Sequence, residues 1–284
     1  MSARPGPLLT LDVHDALLAA RASAQPMLEC SLDLGRTTTV VAAGAECFRF
    51  DGREYPYAEV CKERTIYHWA GAGFQPVARF AGSLIKLVPT EWGPPTFEID
   101  GIKMLPTARV SPYLDAERKV GLITPRGKRV LDTCGGLGYF AAWCLTGGAR
   151  QVDSYEKNPD VIWLRSLNPW SPGSPWSDAP PPGLSLTEGD IAERITDLPD
   201  ASVDAILHDP PRFGIAGELY AQVFYDQLAR VLRRRGVLFH YTGTPNKLTS
   251  GRDVPNEVAT RLRRAGFRTE FEADGVVAVK GDRR

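Results

Sequence analysis

The most distinctive chemistry in the chain lies where an apolar stretch meets two adjacent prolines. Residues 205–207 (AIL) are typical of a buried strand, and residues 208–213 (HDPPRF) follow at once. Proline lacks an amide hydrogen and cannot continue a central strand, so the chain must leave the sheet here. The backbone carbonyl oxygens beside the prolines are then rigid acceptors that can face an amino group. Because open α/β sheets bind ligands at strand ends, the candidate catalytic residues here are Asp209, Pro210, Arg212 and Phe213.

A glycine turn marks a second candidate site. Residues 130–139 (VLDTCGGLGY) have the pattern of a strand, a turn and the start of an apolar helix. Glycine lets the backbone approach a bound ligand where a side chain would clash. Gly136, Gly138 and Ala141, with Glu156 twenty positions beyond Gly136, also satisfy a dinucleotide-binding pattern. An NAD(P)-dependent oxidoreductase is therefore one interpretation of this turn.

The charge of Asp132 favours a different cofactor. Its carboxylate would repel a pyrophosphate, whereas S-adenosylmethionine carries an ammonium and a sulfonium that a carboxylate attracts. Glu156 can accept hydrogen bonds from both ribose hydroxyls, although a helix-start acid is its other interpretation, and Asp190 with Ile191 can bond and cover an adenine. We therefore predict S-adenosylmethionine as the cofactor. The predicted binding residues are Asp132, Cys134, Gly136, Gly138, Glu156, Lys157, Asp190, Ile191 and Asp209.

Candidate proton acceptors and nucleophiles are few. A histidine inside an apolar strand is more often a core residue than a catalyst, which disfavours His208; His240 and Tyr241 are better placed, and Tyr241 joins the candidate catalytic residues. The five cysteines form no CxxC or CxxH pair, so we expect reduced, mostly buried thiols and no metal site. Nothing near the prolines supplies a cysteine nucleophile, which disfavours that role for Cys134 and Cys144.

Short strands alternate with helices over the second half of the chain. The strand candidates are 130–132, 151–155, 184–187, 203–207 and 236–241, and the helix candidates are 113–122, 159–167 and 220–234. This alternation predicts an α/β fold with a Rossmann-like, mostly parallel sheet. Residues 268–271 and 276–280 predict an antiparallel C-terminal hairpin about Asp274-Gly275. The proline-rich stretch 171–183 predicts a long exposed loop.

The first part of the chain has a different pattern. Residues 28–59 alternate β-favouring runs with turn signals such as Asp51-Gly52, and Asp100-Gly101 indicates a further turn. We expect a small β-rich accessory or substrate domain over 25–110. An N-terminal segment over 1–24 precedes it, and a cofactor-binding domain over 111–284 follows it.

The composition is that of an ordinary globular protein. The chain has 284 residues, 43% of them hydrophobic, and a formal net charge of zero, which removes the simplest argument for a nucleic-acid binder. Basic residues nevertheless cluster in 230–235, 261–268 and 283–284. No apolar run is long enough to span a membrane and no secretory signal is present, so we expect a cytoplasmic protein with no membrane partner.

The order of these motifs resembles that of class I S-adenosylmethionine-dependent methyltransferases. Asp209-Pro210-Pro211 matches the Asp/Asn-Pro-Pro-aromatic motif of members that methylate exocyclic or amide nitrogens, where the polar atoms orient the amine and the aromatic ring stacks on a planar substrate. Here Arg212 takes the aromatic position and Phe213 comes one place late. More narrowly, DTCGGLGY (132–139), LNPW (167–170), HDPPRF, GELY (217–220) and LFHYTG (238–243) resemble a family of predicted archaeal and bacterial methyltransferases.

The resemblance implies a methyltransferase acting on a nitrogen acceptor, with RNA and small molecules as candidate substrates. The β-rich N-terminal unit together with Trp92, Trp170 and Trp176 is a candidate for shaping the acceptor site. An aminopropyltransferase that uses decarboxylated S-adenosylmethionine is the main alternative, disfavoured because Arg212 would repel a polyamine. A degenerate, non-enzymatic binding module is a third. The retained carboxylates Asp132, Glu156, Asp190 and Asp209 argue against it.

Overall fold

The chain divides into two compact units. The computed structural model describes residues 5–23, 26–176, 181–243 and 253–281. One unit comprises residues 1–115 together with 163–180, and we call it the β-rich unit. The other comprises residues 116–162 together with 181–284, and we call it the seven-stranded unit. The sequence predicts a contiguous domain over 111–284, and that boundary remains a prediction.

Three small antiparallel sheets build the β-rich unit. Its elements are β1 (Leu8–Leu9), α1 (Leu11–Ala22), β2 (Met27–Cys30), β3 (Thr39–Ala43), β4 (Cys47–Phe50), β5 (Arg53–Pro56), β6 (Tyr67–Trp69), β7 (Phe74–Pro76), β8 (Ala78–Phe80), β9 (Leu84–Val88), β10 (Thr96–Ile99) and β11 (Ile102–Lys103). The strand orders are β1-β6-β7, β2-β3-β4-β5 and β11-β10-β9-β8. Asp51-Gly52 and Asp100-Gly101 have positive φ at both residues, which is the backbone that tight hairpins require. Both predicted turns are present.

The segment that follows Leu167 packs within the β-rich unit more closely than its prolines suggest. The indole Nε1 of Trp170 donates to the Leu34 carbonyl oxygen at 2.9 Å, and Ser171 and Ser174 are buried. The prediction of an exposed loop over 171–183 is therefore wrong for these residues. A run of tight turns buries small polar side chains without forming a helix or a strand. Residues 177–180 lie outside the described part of the chain.

One mixed sheet with flanking helices forms the seven-stranded unit and extends the predicted α/β pattern. The remaining elements are α2 (Pro112–Ile123), β12 (Arg129–Asp132), α3 (Tyr139–Thr146), β13 (Gln151–Glu156), α4 (Pro159–Leu167), β14 (Leu184–Glu188), α5 (Ile191–Arg194), β15 (Val203–His208), α6 (Gln222–Val231), β16 (Leu232–Tyr241), α7 (Val254–Arg264), β17 (Phe267–Glu272) and β18 (Gly275–Lys280). The sheet order is β14-β13-β12-β15-β16-β18-β17. The first five strands are parallel, β18 runs antiparallel to β16, and β17 runs antiparallel to β18.

Two predicted boundaries are wrong. The helix predicted over 220–234 ends at Val231, because Leu232 pairs with Val203 and already belongs to β16. The C-terminal hairpin turns at Ala273 and Asp274, whereas Gly275 pairs with Glu272 inside the ladder. A Cβ at Gly275 would lie 2.5 Å from the carbonyl oxygen of His240. Close packing against β16, rather than turn geometry, therefore requires this glycine.

The thiols are more accessible than predicted. All five cysteines are free, but only Cys144 is buried and the other four are half-buried. Among the described helices, none has the length and apolar character needed to cross a bilayer.

Candidate active site

Parallel pairing brings the predicted site residues to one edge of the seven-stranded sheet. Asp132 is in register with Ser154 on one side and with Leu207 on the other, and Glu156 is in register with Glu188. The carboxyl ends of four neighbouring strands, β14, β13, β12 and β15, therefore lie side by side. This edge is where open α/β sheets bind ligands.

The glycine turn after β12 is held in an unusual backbone conformation. Gly136 and Gly138 have φ of 48° and 81°, in the left-handed region that glycine adopts without strain. Gly135 donates its amide to the Tyr155 carbonyl oxygen at 2.7 Å, which ties the turn to β13. Gly138 is also the N-cap of α3 and offers no side chain there. The turn thus presents backbone, not side chains, at the sheet edge.

Glu156 connects that turn to the next helix. Its Oε2 accepts from the Gly136 amide and its Oε1 accepts from the Asn158 amide, both at 2.9 Å. Each carboxylate oxygen has a second lone pair, so the group can hold the loop and still accept from a ligand. The helix-start interpretation of Glu156 is thus part of what it does, and the turn itself depends on the same carboxylate.

Asp132 and Asp190 lie in different environments. Asp132 is fully buried and accepts from the Ser154 hydroxyl at 2.8 Å. Asp190 caps α5 by accepting from the Ala192 amide at 2.9 Å, and its other oxygen lies 3.3 Å from Lys157 Nζ. Lys157 lies equally close to Glu218. Burial lowers the pKa of Lys157, but Asp190 and Glu218 outweigh that effect and raise it overall.

Two residues predicted to bind the cofactor, Ile191 and Cys134, pack in or against the apolar core. Ile191 is 4% exposed and belongs to the apolar core, so little of its side chain is open to a ligand. Burial, reinforced by the charge of Glu156, raises the pKa of the Cys134 thiol well above its usual value. Cys134 is therefore protonated near neutral pH and is a poor nucleophile.

The two prolines lead into an exposed aromatic and basic segment. Asp209 is half-buried and Pro210 is buried, whereas Arg212 and Phe213 are exposed. The Phe213 ring meets the Tyr220 ring edge-on at 5.5 Å. Tyr220 OH donates to the Pro211 carbonyl oxygen at 3.1 Å, which fixes the segment after the second proline.

Tyr220 is a site residue that sequence reasoning did not single out. Burial, and then the carboxylate of Asp209, raise its pKa, so it remains a hydroxyl donor. Only its membership in the GELY motif signalled a role. The structure indicates that it supports the Pro-Pro turn.

A buried lysine covers Tyr241. Lys119 is 1% exposed, and its Nζ lies 3.9 Å from the centre of the Tyr241 ring and 3.8 Å from Asp274 Oδ2. A cation over an aromatic face together with a nearby carboxylate compensates for the loss of hydration of a buried ammonium. Nothing in the sequence pattern connects these three positions.

The two strand-end histidines are committed to internal hydrogen bonds. His208 Nε2 meets the Leu219 carbonyl oxygen at 3.2 Å and its Nδ1 meets the Thr133 hydroxyl at 2.7 Å. His240 Nδ1 meets the Tyr241 carbonyl oxygen at 2.8 Å and its Nε2 meets the Tyr225 hydroxyl at 3.0 Å. A carbonyl can only accept, so His208 carries its proton on Nε2 and His240 on Nδ1. All four ring nitrogens are engaged, which leaves neither imidazole as a base for a substrate.

The described residues contain no cluster of three or more His, Cys, Asp or Glu side chains arranged to hold a metal ion. The site instead offers backbone amides, fixed carboxylates and an exposed aromatic segment. Such a set suits a ligand with hydroxyls, positive charge and a planar ring.

Comparisons with known proteins agree with the α/β architecture. The chain is 44% identical to the uncharacterized protein MJ1233 of Methanocaldococcus jannaschii over 200 residues, which span 69% of this chain and 66% of that protein, just under two thirds of its length. No protein-family model matches the chain. A spermidine synthase in complex with the transition-state analogue AdoDATO aligns with a TM-score of 0.57 and 17% identity, over 72% of this chain and 73% of that one.

Other solved structures extend this similarity. Spermidine synthase from Thermotoga maritima aligns with a TM-score of 0.53 and 16% identity, over 72% and 71% of the two chains. A TehB-like SAM-dependent methyltransferase from Corynebacterium glutamicum aligns more weakly, with a TM-score of 0.43 and 18% identity, over 59% and 87%. The chain therefore shares the α/β fold of the two spermidine synthase structures. Identities this low show the fold alone.

Proposed function

We propose that this protein is an S-adenosylmethionine-dependent methyltransferase that acts on a nitrogen acceptor. The observation that carries the proposal is the hydrogen bond between the Glu156 carboxylate and the Gly136 amide, which joins a left-handed glycine turn to a strand-end carboxylate. Asp132 ends β12, and Asp209 directly follows the adjacent strand β15. Carboxylates in this arrangement suit a ligand with two ribose hydroxyls and positive charge at its methionine end.

Each residue group has a proposed role toward that ligand. Asp132 provides the negative field for the ammonium and sulfonium, Glu156 accepts from the ribose hydroxyls, and Asp190 accepts from the adenine amino group. The cofactor, when bound, supplies an already activated methyl group. The protein then needs to orient the acceptor and exclude water more than it needs a strong base.

The Pro-Pro turn is the proposed acceptor site. The Asp209 carboxylate and the Pro210 carbonyl oxygen can accept from an amino group and so aim its lone pair. Phe213, with 36% of its surface exposed, and the guanidinium of Arg212 offer planar faces for a base. RNA is our leading acceptor class because exposed bases are the planar, amine-bearing groups that such a surface fits.

Transfer of a labelled methyl group tests the activity. The purified protein is incubated with cofactor labelled at the methyl group and, separately, with bulk RNA and with a small-molecule extract, and the products are identified by mass spectrometry. We expect label on a nitrogen of one RNA nucleoside, and loss of that label with the Asp209→Ala variant. Label on carbon or oxygen would contradict the nitrogen acceptor, and tight NAD binding without any adenosyl-ligand binding in calorimetry would contradict the enzyme class.

Similarity to spermidine synthases favours one second candidate, an aminopropyltransferase. The alignment covers 72% of the chain, whereas the seven-stranded unit contains just over half of it, so the likeness extends into the β-rich unit. Such an enzyme would use decarboxylated S-adenosylmethionine and a polyamine, which the exposed Arg212 would repel. Parallel assays with both cofactors and with putrescine discriminate the two: polyamine product formation would favour this candidate, and its absence alongside methyl transfer would exclude it.

A further inference from the structure

Three consecutive arginines bulge from β16 at the edge of the sheet opposite the candidate active site. Between two consecutive register pairs, Val203 with Leu232 and Ala205 with Val237, β15 advances two residues while β16 advances five. Arg233 to Arg235 occupy the extra length. Bulges that push side chains out of a ladder are frequent at functional edges.

The bulge forms one wall of a basic cleft within the seven-stranded unit. The cleft has a volume of about 340 Å³ and is lined by Arg126, Gly127, Lys128, Arg150, Asp204, Arg233, Arg234, Arg235 and Gly236. Six of the nine lining residues are cationic and only one is a carboxylate, in a chain whose formal net charge is zero. This local excess of positive charge attracts anions.

The single carboxylate organises the cleft rather than neutralising it. Asp204 lies 2.5 Å from Arg233 and 3.9 Å from Arg150, and it accepts from the Arg129 amide at 2.8 Å. Burial raises the pKa of Asp204, but the Arg129 amide and the two arginines outweigh that effect and lower it. An ionised Asp204 thus holds two arginines at the rim while the positive excess persists.

We infer that this cleft binds the phosphate backbone of an RNA substrate, an inference that rests on the proposed RNA acceptor. Guanidinium groups match phosphate oxygens in pairs, and no aliphatic or aromatic side chain lines the cleft, which disfavours a lipid chain or a stacked base. The cleft lies at the amino ends of the strands whose carboxyl ends form the candidate active site. The six residues of β15 separate the two by about 20 Å. A ligand that engages both ends must be an extended polyanion.

Binding of a fluorescein-labelled RNA hairpin of mixed sequence tests the cleft. The variant is Arg126→Gln with Arg235→Asn, since asparagine tolerates the left-handed φ of 59° at position 235. Its matched control is Arg264→Gln with Arg268→Gln, which removes two exposed arginines of the same unit outside the cleft. We expect anisotropy titrations to show about tenfold weaker binding and a salt dependence shallower by about two units for the cleft variant. The control should stay within about twofold of the parent protein.

The alternative outcomes are decisive. Equal weakening by both double variants, or no RNA binding by the parent protein, overturns the inference. Binding of the parent to phosphatidylserine vesicles without competition by RNA would assign the cleft to a membrane surface and overturn it as well. Affinity for S-adenosylhomocysteine is measured by calorimetry on the same samples. If that affinity persists while RNA binding is absent, the cleft inference has failed and the cofactor proposal has not.

Discussion

Substitutions at Asp209 distinguish a role in orienting the acceptor from a role in binding the cofactor. It is half-buried at the end of β15 and directly precedes the two prolines. If it orients an amine, Asp209→Ala should lower turnover about 100-fold or more while affinity for S-adenosylhomocysteine changes little. Asp209→Asn keeps an acceptor oxygen and should retain more activity than the alanine variant. Initial rates of labelled methyl transfer and calorimetry measure the two effects; parallel loss of both properties in both variants would place Asp209 in the cofactor pocket.

Glu156 should matter for affinity rather than turnover. Glu156→Ala removes the proposed ribose contacts and the acceptor for two backbone amides, so binding of S-adenosylhomocysteine should weaken by about 1.5–3 kcal/mol. Glu156→Gln keeps one acceptor oxygen and should give an intermediate loss. Glu188→Ala is the control, because Glu188 ends the adjacent strand and is exposed. Equal dissociation constants for the parent and Glu156→Ala would reduce Glu156 to a local structural role.

At the residue scale, charged side chains at strand ends were predictable and supporting side chains were not. Glu156 ends β13 and Asp209 directly follows the apolar strand β15, so their positions at the sheet edge follow from the alternation of strands and helices. Tyr220 acts through a hydrogen bond to Pro211 in the loop that precedes it, and Lys119 acts through a contact with Tyr241 in a distant segment. No local pattern encodes such a contact.

Neighbouring strands β15 and β16 make the fold sensitive to acid. Burial lowers the pKa of His240 to about 4, and burial together with His240 lowers that of His208 well below its usual value. Between pH 6.5 and about pH 4, the His240 side chain is protonated in the unfolded chain but neutral in the folded protein. The free energy of unfolding therefore decreases as the pH falls through this range. Below the pKa of His240 in the folded protein, this residue causes no further loss of stability.

The expected loss for His240 alone is about 2 kcal/mol between about pH 7 and about pH 5. Urea titrations at both pH values measure it. In His240→Asn an amide can still donate to the Tyr241 carbonyl oxygen but nothing titrates, so the pH dependence should be shallower by that amount. An unchanged pH dependence would show that the imidazole gains protons as easily in the folded protein as in the unfolded chain.

At the element scale, periodicity located the strands and missed two of their ends. Val231 and Leu232 are both apolar, so the sequence does not mark where α6 stops and β16 starts; pairing with Val203 decides it. Gly275 was predicted as a turn residue because Asp-Gly is a strong hairpin signal. Its position in the strand ladder instead follows from the close approach of the His240 carbonyl oxygen to Gly275. This approach is a tertiary contact.

At the scale of the whole molecule, the chain crosses between its units more often than the sequence indicates. Residues 163–180 begin in the second half of α4, yet they belong to the same unit as residues 1–115. Within the β-rich unit, Arg79 lies 3.8 Å from the centre of the Trp163 ring, and Trp170 donates to Leu34. Such long-range pairs cannot be inferred from composition or spacing.

Truncation to residues 111–284, the predicted cofactor-binding domain, tests this organisation. It removes Arg79 and Leu34, so the rings of Trp163 and Trp170 lose the cation and the hydrogen-bond acceptor that stabilise them. We expect the truncated chain to unfold in urea without a cooperative transition, or to bind S-adenosylhomocysteine at least about tenfold more weakly than the full chain. In the full chain, Trp170→Phe should cost less stability than Trp170→Ala, since it keeps a ring beside Tyr113, whose centre is 5.1 Å away. A truncated chain with full affinity and a cooperative transition would show that the contacts of residues 163–180 with residues 1–110 are dispensable to the seven-stranded unit.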